Sequence, residues 1–361
     1  MKILYIDHIS PYGHVNFNTI HLQSLLSLNH HVYCIFKKDY FKKISVENIK
    51  IYLELPLWLY KKYWNGFTER ILYFSQLLFI KFKVKFKTFD IVIFASYEPI
   101  SLFFANIKCP LLLINHNTIS GLDKSKVKEF FTKSISNRNV HIVFNEYMKQ
   151  RLLLSKIHNV VIVPHGFIKP FIIDQPNNVL NSFTDIDYKI FNLHAYSIVF
   201  CPSSASIDKI FLFQLLFDKG FNEFLIERNI ILVLKGNIYL DQNFCRNIVC
   251  IDRRFSDIEY QKLFFLSKII LLLYDNNYKY RTSGVLFECF SNNKPCLVLQ
   301  NESINSYSKY FNYDPFFDTV SELSDKVLWH QQHVFKNHSL YTNLKELNPI
   351  SYWDKLLSQY N

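Results

Sequence analysis

The chain has 361 residues, 49% of them hydrophobic, which is enough material for roughly two domains with separate cores. Lys and Arg number 41 against 30 Asp and Glu, and the seven Cys, odd in number and without a C-x-x-C pair, read as reduced thiols rather than a disulfide framework or a zinc site. No apolar run approaches the length of a spanning helix, about 18 residues, and Met1 to Asp7 leads straight into a strand, so neither a spanning segment nor a secretory leader is expected.

In chain order, an apolar strand is expected from Lys2 to Asp7, then the loop Ser-Pro-Tyr-Gly-His ending at His14, a helix from Asn16 to Leu28 and a strand from His31 to Phe36. Leu57 to Phe89 follows, with seven basic residues (Lys61, Lys62, Arg70, Lys81, Lys83, Lys85 and Lys87), opposed only by Glu69 and interleaved with aromatics such as Trp58, Trp64 and Phe82. This composition suits an anionic lipid surface, and equally a solvated helix followed by a strand of alternating Lys and apolar residues. Further strands are expected at Asp90 to Ala95, Pro110 to Asn115, Val140 to Asn145 and Val160 to Pro164, completing one doubly wound domain. After the turn at His165-Gly166 an irregular stretch leads to strands at Ser197 to Cys201, Ile230 to Lys235, Ile248 to Asp252, Ile269 to Tyr274 and Cys296 to Leu299, a second domain of the same kind. The basic excess lies entirely in the first half, with 22 Lys and Arg against 10 Asp and Glu up to residue 166 and 19 against 20 beyond it.

Tyr278 to Leu299 carries the most specific signal. Ser283 is a good N-cap ahead of a short helix from about Gly284 to Asn292, and Lys294-Pro295 closes that helix before the strand. The helix start offers free N–H groups and a positive dipole end beside Arg281, which suits phosphate. Glu288, four residues after Gly284, shares its helix face roughly 6 Å along the axis, where the ribose of a nucleotide diphosphate would sit.

This segment resembles retaining glycosyltransferases of the GT-B fold, similar to family-four-like bacterial polysaccharide enzymes. The resemblance implies two Rossmann-like domains facing a central cleft: residues 1–166 binding acceptor, 167–335 binding a nucleotide-sugar donor, and a helical tail at 336–361 packing back on the first. Glu288 matches the acid that holds the donor ribose, whereas Tyr280 stands where the family has its first acid. Arg281, Ser283 and Gly284 match phosphate contacts. Lys209, after the Ser203-Ser204 loop, and Lys235 match cations that neutralise the leaving diphosphate, and Arg253-Arg254 sits where the chain passes the nucleobase. On the acceptor side the resemblance points to Gly13, His14, Asn115 and His116, with His116 and His14 placed to take the acceptor proton and Arg281 to stabilise the leaving group.

The implied activity is metal-independent transfer of a sugar to a glycan or lipid-linked acceptor in surface polysaccharide synthesis, by a cytoplasmic protein peripherally bound to an anionic membrane, with no cofactor and no nucleic-acid partner. Asp185-Ile186-Asp187 has the form of a metal-binding acid pair but lies in a polar linker. Two other readings stay open: a non-catalytic GT-B-like partner subunit, for which Tyr280 speaks, and a nucleic-acid-binding or interaction protein, for which the basic first half speaks.

Overall fold

The computed structural model describes residues 1–9, 14–60, 66–116, 118–167, 170, 196–202, 207–236, 245–253, 255–333 and 339–360, with the side chains of 66, 67 and 277 set aside. Two wholly parallel sheets organise the chain. The first contains β1 (Lys2–Asp7), β2 (His31–Lys37), β3 (Lys50–Leu55), β4 (Ile91–Ser96), β5 (Leu111–Ile114), β6 (Val140–Val143) and β7 (Val160–Ile162), in the order β3-β2-β1-β4-β5-β6-β7. Its helices are α1 (Val15–Ser27), α2 (Gly66–Lys83), α3 (Pro99–Ala105), α4 (Lys126–Ser136) and α5 (Glu146–Leu154). Near-continuous apolar strands such as Ile91–Ser96, buried at every position, are what a parallel sheet covered on both faces demands.

The second sheet holds β8 (Ser197–Cys201), β9 (Ile230–Lys235), β10 (Ile248–Ile251), β11 (Ile269–Leu272), β12 (Cys296–Leu299) and β13 (Phe316–Phe317), in the order β10-β9-β8-β11-β12-β13. With it come α6 (Lys209–Phe217), α7 (Lys219–Glu227), α8 (Asp257–Leu266), α9 (Gly284–Ser291), α10 (Glu302–Asn305) and α11 (Val320–Gln332). Both sheets reverse their winding beside their first strand, the arrangement that gathers ligands at the carboxyl ends of the strands. No helix among the described residues is long and apolar enough to cross a membrane.

The chain divides into two compact units. One comprises residues 1–168, 280–282 and 345–361; the other comprises 169–279 and 283–344. The last helix, α12 (Pro349–Leu357), packs on α1. Trp353 is fully buried there, and its indole N–H donates to His21 Nδ1 at 2.9 Å.

The structure corrects two local expectations. The lysine-rich run after Ile80 is not a strand: α2 continues to Lys83 and a 3₁₀ turn spans Phe86–Thr88, because Leu77, Ile80 and Val84 are buried at helical spacing. Strand β3, unanticipated, lies at the sheet edge with most of its residues exposed, so it lacks the apolar run that marks its neighbours.

Gly166 takes φ +82°, and a Cβ there would lie 2.6 Å from Ile20 Cγ2 and 3.0 Å from Pro349 Cδ. It is the point where the chain squeezes between α1 and α12. Gly166→Ala is expected to destabilise the first unit by about 2–3 kcal/mol, combining left-handed backbone strain with overpacking. Urea unfolding checks it: the midpoint should fall with an unchanged m-value.

Candidate functional site

In the first unit, β1 and β4 lie side by side where the winding reverses and end in Asp7 and Ser96. Asp7 is buried, and an uncompensated carboxylate there would be prohibitive. It is compensated. Asn18 Nδ2 of α1 donates to it at 2.7 Å, the Ser96 hydroxyl donates to it as well, and His14 Nδ1 lies 3.3 Å away. Burial pushes the Asp7 carboxyl upward, but the His14 ring and the hydrogen bonds outweigh it and hold the group below the usual carboxylate range. Asn18 is fixed in turn by Tyr5, whose hydroxyl donates to its Oδ1 at 2.8 Å.

His14 is the N-cap of α1, and its ring stacks on His116 with centroids 4.0 Å apart and planes at 27°. His116 also meets Phe17 edge-on at 4.1 Å and lies against Phe144. Burial, reinforced by His14, His165 and His21, holds His116 well below the usual imidazole range, so it is neutral. The two rings line a cavity of about 140 Å³ with Ser96, Tyr97, Glu98 and Lys128. The Asp7 carboxylate lies 3.3 Å from His14 Nδ1, so an acid stands behind the ring, an arrangement that general-base chemistry uses.

Asn115, expected on the acceptor side, is committed to the interior. Its Oδ1 accepts from Tyr97 at 2.7 Å, and its Nδ2 donates to Leu113 O and Ile142 O at 3.0 and 3.1 Å. The residue is fully buried because its strand ends one position earlier than expected, and the side chain finishes the sheet's hydrogen bonding.

In the second unit, Ser283 caps α9 as the sequence required, its hydroxyl accepting from Leu286 N at 3.1 Å and pairing with Tyr274 at 2.7 Å. Among the described residues, and apart from its chain neighbours and the helix's own backbone, no atom lies within 4 Å of where a Gly284 Cβ would be. One turn on, Glu288 is buried and accepts from Tyr260 Oη at 2.5 Å. Burial pushes its carboxyl up to about 7, against the lowering effect of that hydrogen bond. Lys209 is exposed at the first turn of α6, and Lys235 ends β9 with its Nζ 5.7 Å from the centre of the Phe255 ring.

Other expectations shift. Arg253 is engaged by Glu259 through two bonds of 3.0 and 2.6 Å, which hold that carboxyl down at about 2; the pair braces the start of α8 rather than awaiting a nucleobase. Tyr280 is buried and stacks on Tyr147 at 5.2 Å and 15°, with the Arg151 guanidinium 5.9 Å from its ring, so it is packed as a core residue of the first unit and does not present its ring to a donor. Arg281 is partly buried in the same short segment. Gly13, Lys61, Lys62, Trp64, Asp185, Asp187, Ser203, Ser204 and Arg254 lie outside the described residues. Among the described residues no three His, Cys, Asp or Glu side chains are placed to hold a metal ion.

Sequence reasoning missed Asp7 and Tyr260. The signal for Asp7 was present, an acid closing an otherwise apolar first strand at a ligand-gathering edge, whereas Tyr260 meets Glu288 across 28 residues of chain and no local pattern announces it.

Neither a family model nor a curated protein sequence matches the chain. Solved structures do match over its length. HepE of Anabaena, solved with UDP and glucose, shares 11% identity at a TM-score of 0.64, covering 99% of each chain. Trehalose 6-phosphate synthase from Burkholderia multivorans shares 10% at 0.63, covering 99% of this chain and 97% of its own. The UDP-GlcNAc 2-epimerase of Neisseria meningitidis, bound to UDP-GlcNAc, shares 15% at 0.57, covering 100% and 99%. At these identities the likeness is one of fold, and the fold is that of the GT-B enzymes, two Rossmann-like domains in one chain.

Proposed function

We propose that the protein is a glycosyltransferase that moves a sugar from a nucleotide-sugar donor to a glycan or lipid-linked acceptor, in surface polysaccharide synthesis at the cytoplasmic face of a membrane. The observation that carries the reading is the start of α9, where a capped helix terminus has no described residue packed on the Gly284 Cβ position and the buried Glu288 follows one turn later. Backbone N–H groups there suit a diphosphate, and the Glu288 carboxylate suits ribose hydroxyls. That similar folds were solved with UDP, and with UDP-GlcNAc, supports the donor class.

In this reading Arg281, Lys209, Lys235 and the α9 dipole meet the negative charge that develops on the departing diphosphate, and no metal or cofactor takes part. His14, held by Asp7, takes the acceptor proton, and His116 gives its ring a neutral stacking partner. The stacking of Tyr280 on Tyr147 favours a second reading, a non-catalytic GT-B-like subunit, because the position of the family's first acid is filled by a packed ring. Donor hydrolysis separates the two readings.

The test uses UDP-sugars. At about 100 times its dissociation constant the right donor should stabilise the protein by about 2.7 kcal/mol. Ribose hydroxyls favour the ionised carboxylate, so affinity should rise about tenfold between roughly pH 6 and pH 8 as Glu288 loses its proton, and Glu288→Gln should flatten the profile. A flat wild-type profile would remove Glu288 from the donor site.

A further inference from the structure

Helices α2, α3 and α4 pack side by side, and Lys81 Nζ ties the ends of the first two together by donating to Ala105 O at 2.7 Å. At that edge four phenylalanines cluster. Phe131 lies 5.0 Å from Phe103, 5.6 Å from Phe104 and 5.4 Å from Phe130 between ring centres. Three of them are open to solvent, Phe103 at 39%, Phe104 at 59% and Phe130 at 61%, and Phe82, next to Lys81, is 83% exposed. Beside them runs a groove of about 890 Å³ whose lining includes Phe103, Phe104, Lys108, Pro110, Ser134 and Arg138 and no acidic residue. Lys83, Lys85 and Lys87, at the end of α2 and just beyond it, are exposed as well.

We propose that this edge docks on an anionic phospholipid bilayer, with Phe82, Phe103, Phe104 and Phe130 entering the interface and Lys108 and Arg138 meeting headgroup phosphates. Exposed aromatics beside a groove that carries Lys108 and Arg138 and no acid, with Glu129 next to Phe130 neutralised by Lys133 at 3.0 Å, match such a surface in both apolar and charge terms. A second copy does not fit: a two-fold contact would set Lys108 and Arg138 against their own equivalents. The surface is also smaller than the basic stretch Leu57 to Phe89 taken as a whole. Trp58 precedes α2 and Phe82 nearly ends it, and 18 helical residues span about 27 Å, so the two aromatics occupy opposite ends.

The docking edge is the amino-terminal edge of the first sheet, since Lys108 to Pro110 lead directly into β5, whereas Asp7 and Ser96 close strands at the carboxyl edge. A strand of six residues separates the edges by about 20 Å. Resting on the function proposed above, this favours an acceptor already carrying several sugars, whose growing end stands clear of the bilayer.

Cosedimentation with phosphatidylglycerol-containing and pure phosphatidylcholine vesicles tests it on the full chain. Phe103→Ser/Phe104→Ser/Phe130→Ser, and separately Lys108→Glu/Arg138→Glu, should each weaken partition to the anionic vesicles about tenfold or more. Ile210→Ser/Phe213→Ser/Phe217→Ser is the control, an equally exposed stripe on α6 flanked by Asp208 and Asp218 as well as Lys209 and Lys219. It should bind like wild type. All substitutions are at exposed positions, and thermal unfolding verifies each fold. Equal partition by wild type and both edge variants, equal wild-type binding to neutral vesicles, or a dimer abolished by the triple edge variant would each overturn the proposal. UDP-sugar stabilisation, read in parallel, belongs to the other reading: its loss alone leaves the docking result standing.

Discussion

Acidification from about pH 7 to pH 5 is expected to unfold the first unit before the second. His8, His141 and His165 are buried in it, and burial pushes each down to about 4 from an ordinary imidazole value near 6.5; His21 and His116 are likewise held well below the usual range, chiefly by burial. Because these folded-state values are depressed, the stability they contribute is fully present above about pH 6.5 and is lost as pH falls towards 4. A shift of this size is worth on the order of 3 kcal/mol per group in full, and about 2 kcal/mol of it is gone at pH 5. Three such groups together approach the whole stability of an ordinary domain, about 5–15 kcal/mol. In the second unit, among the described residues, His330 is the only histidine with a comparable shift, and Glu288, raised to about 7, acts the other way, its cost being relieved by protonation. Emission from Trp353, bonded to His21, reports the first unit directly. A first unit still native at pH 5 would mean that the interior admits these protons without cost.

His14→Ala should reduce turnover by about 10²- to 10⁴-fold, the usual contribution of a positioned base, while leaving donor affinity unchanged. Asp7→Asn should reduce it through the ring it orients, with a shifted acid limb of the pH–rate profile, and the double variant should be little worse than His14→Ala because the two act as one unit. Normal turnover in folded His14→Ala would take the base away from this ring. Asn18→Ala is the companion measurement: it removes a donor to Asp7 without touching His14, so a changed pH profile in this variant separates positioning from mere stability.

The strands were the most legible part of the sequence, because parallel strands covered on both faces are continuous apolar runs; Lys2–Asp7, Ser197–Cys201, Ile230–Lys235 and Cys296–Leu299 coincide with their expected limits. The cap at Ser283 was equally legible, since capping is local chemistry within four residues. Edge strand β3 was not, as exposure erases the pattern. At the candidate site the dividing line is distance along the chain. His14 and Glu288 sit on motifs, but what makes them chemically distinctive comes from partners elsewhere: Ser96 is 89 residues from Asp7, and Tyr260 is 28 from Glu288. Asn115 shows the converse, a residue of the right type in the right loop whose amide is drawn into the sheet by Tyr97 and Ile142.

The place of Trp353 has a further meaning for how the protein is made. The ribosome releases all seven strands of the first sheet long before it reaches α12, yet the core around α1 stays unfinished until that helix arrives. At about 5–20 residues per second, the stretch from residue 168 to 345 takes roughly ten to thirty seconds to synthesise. During that interval the nascent first unit exposes the groove that Trp353 will fill, while the second unit can already close on itself. The domain that starts first is therefore the one completed last, and a ribosome stalled before residue 345 leaves a chain whose leading half is the more vulnerable to proteolysis.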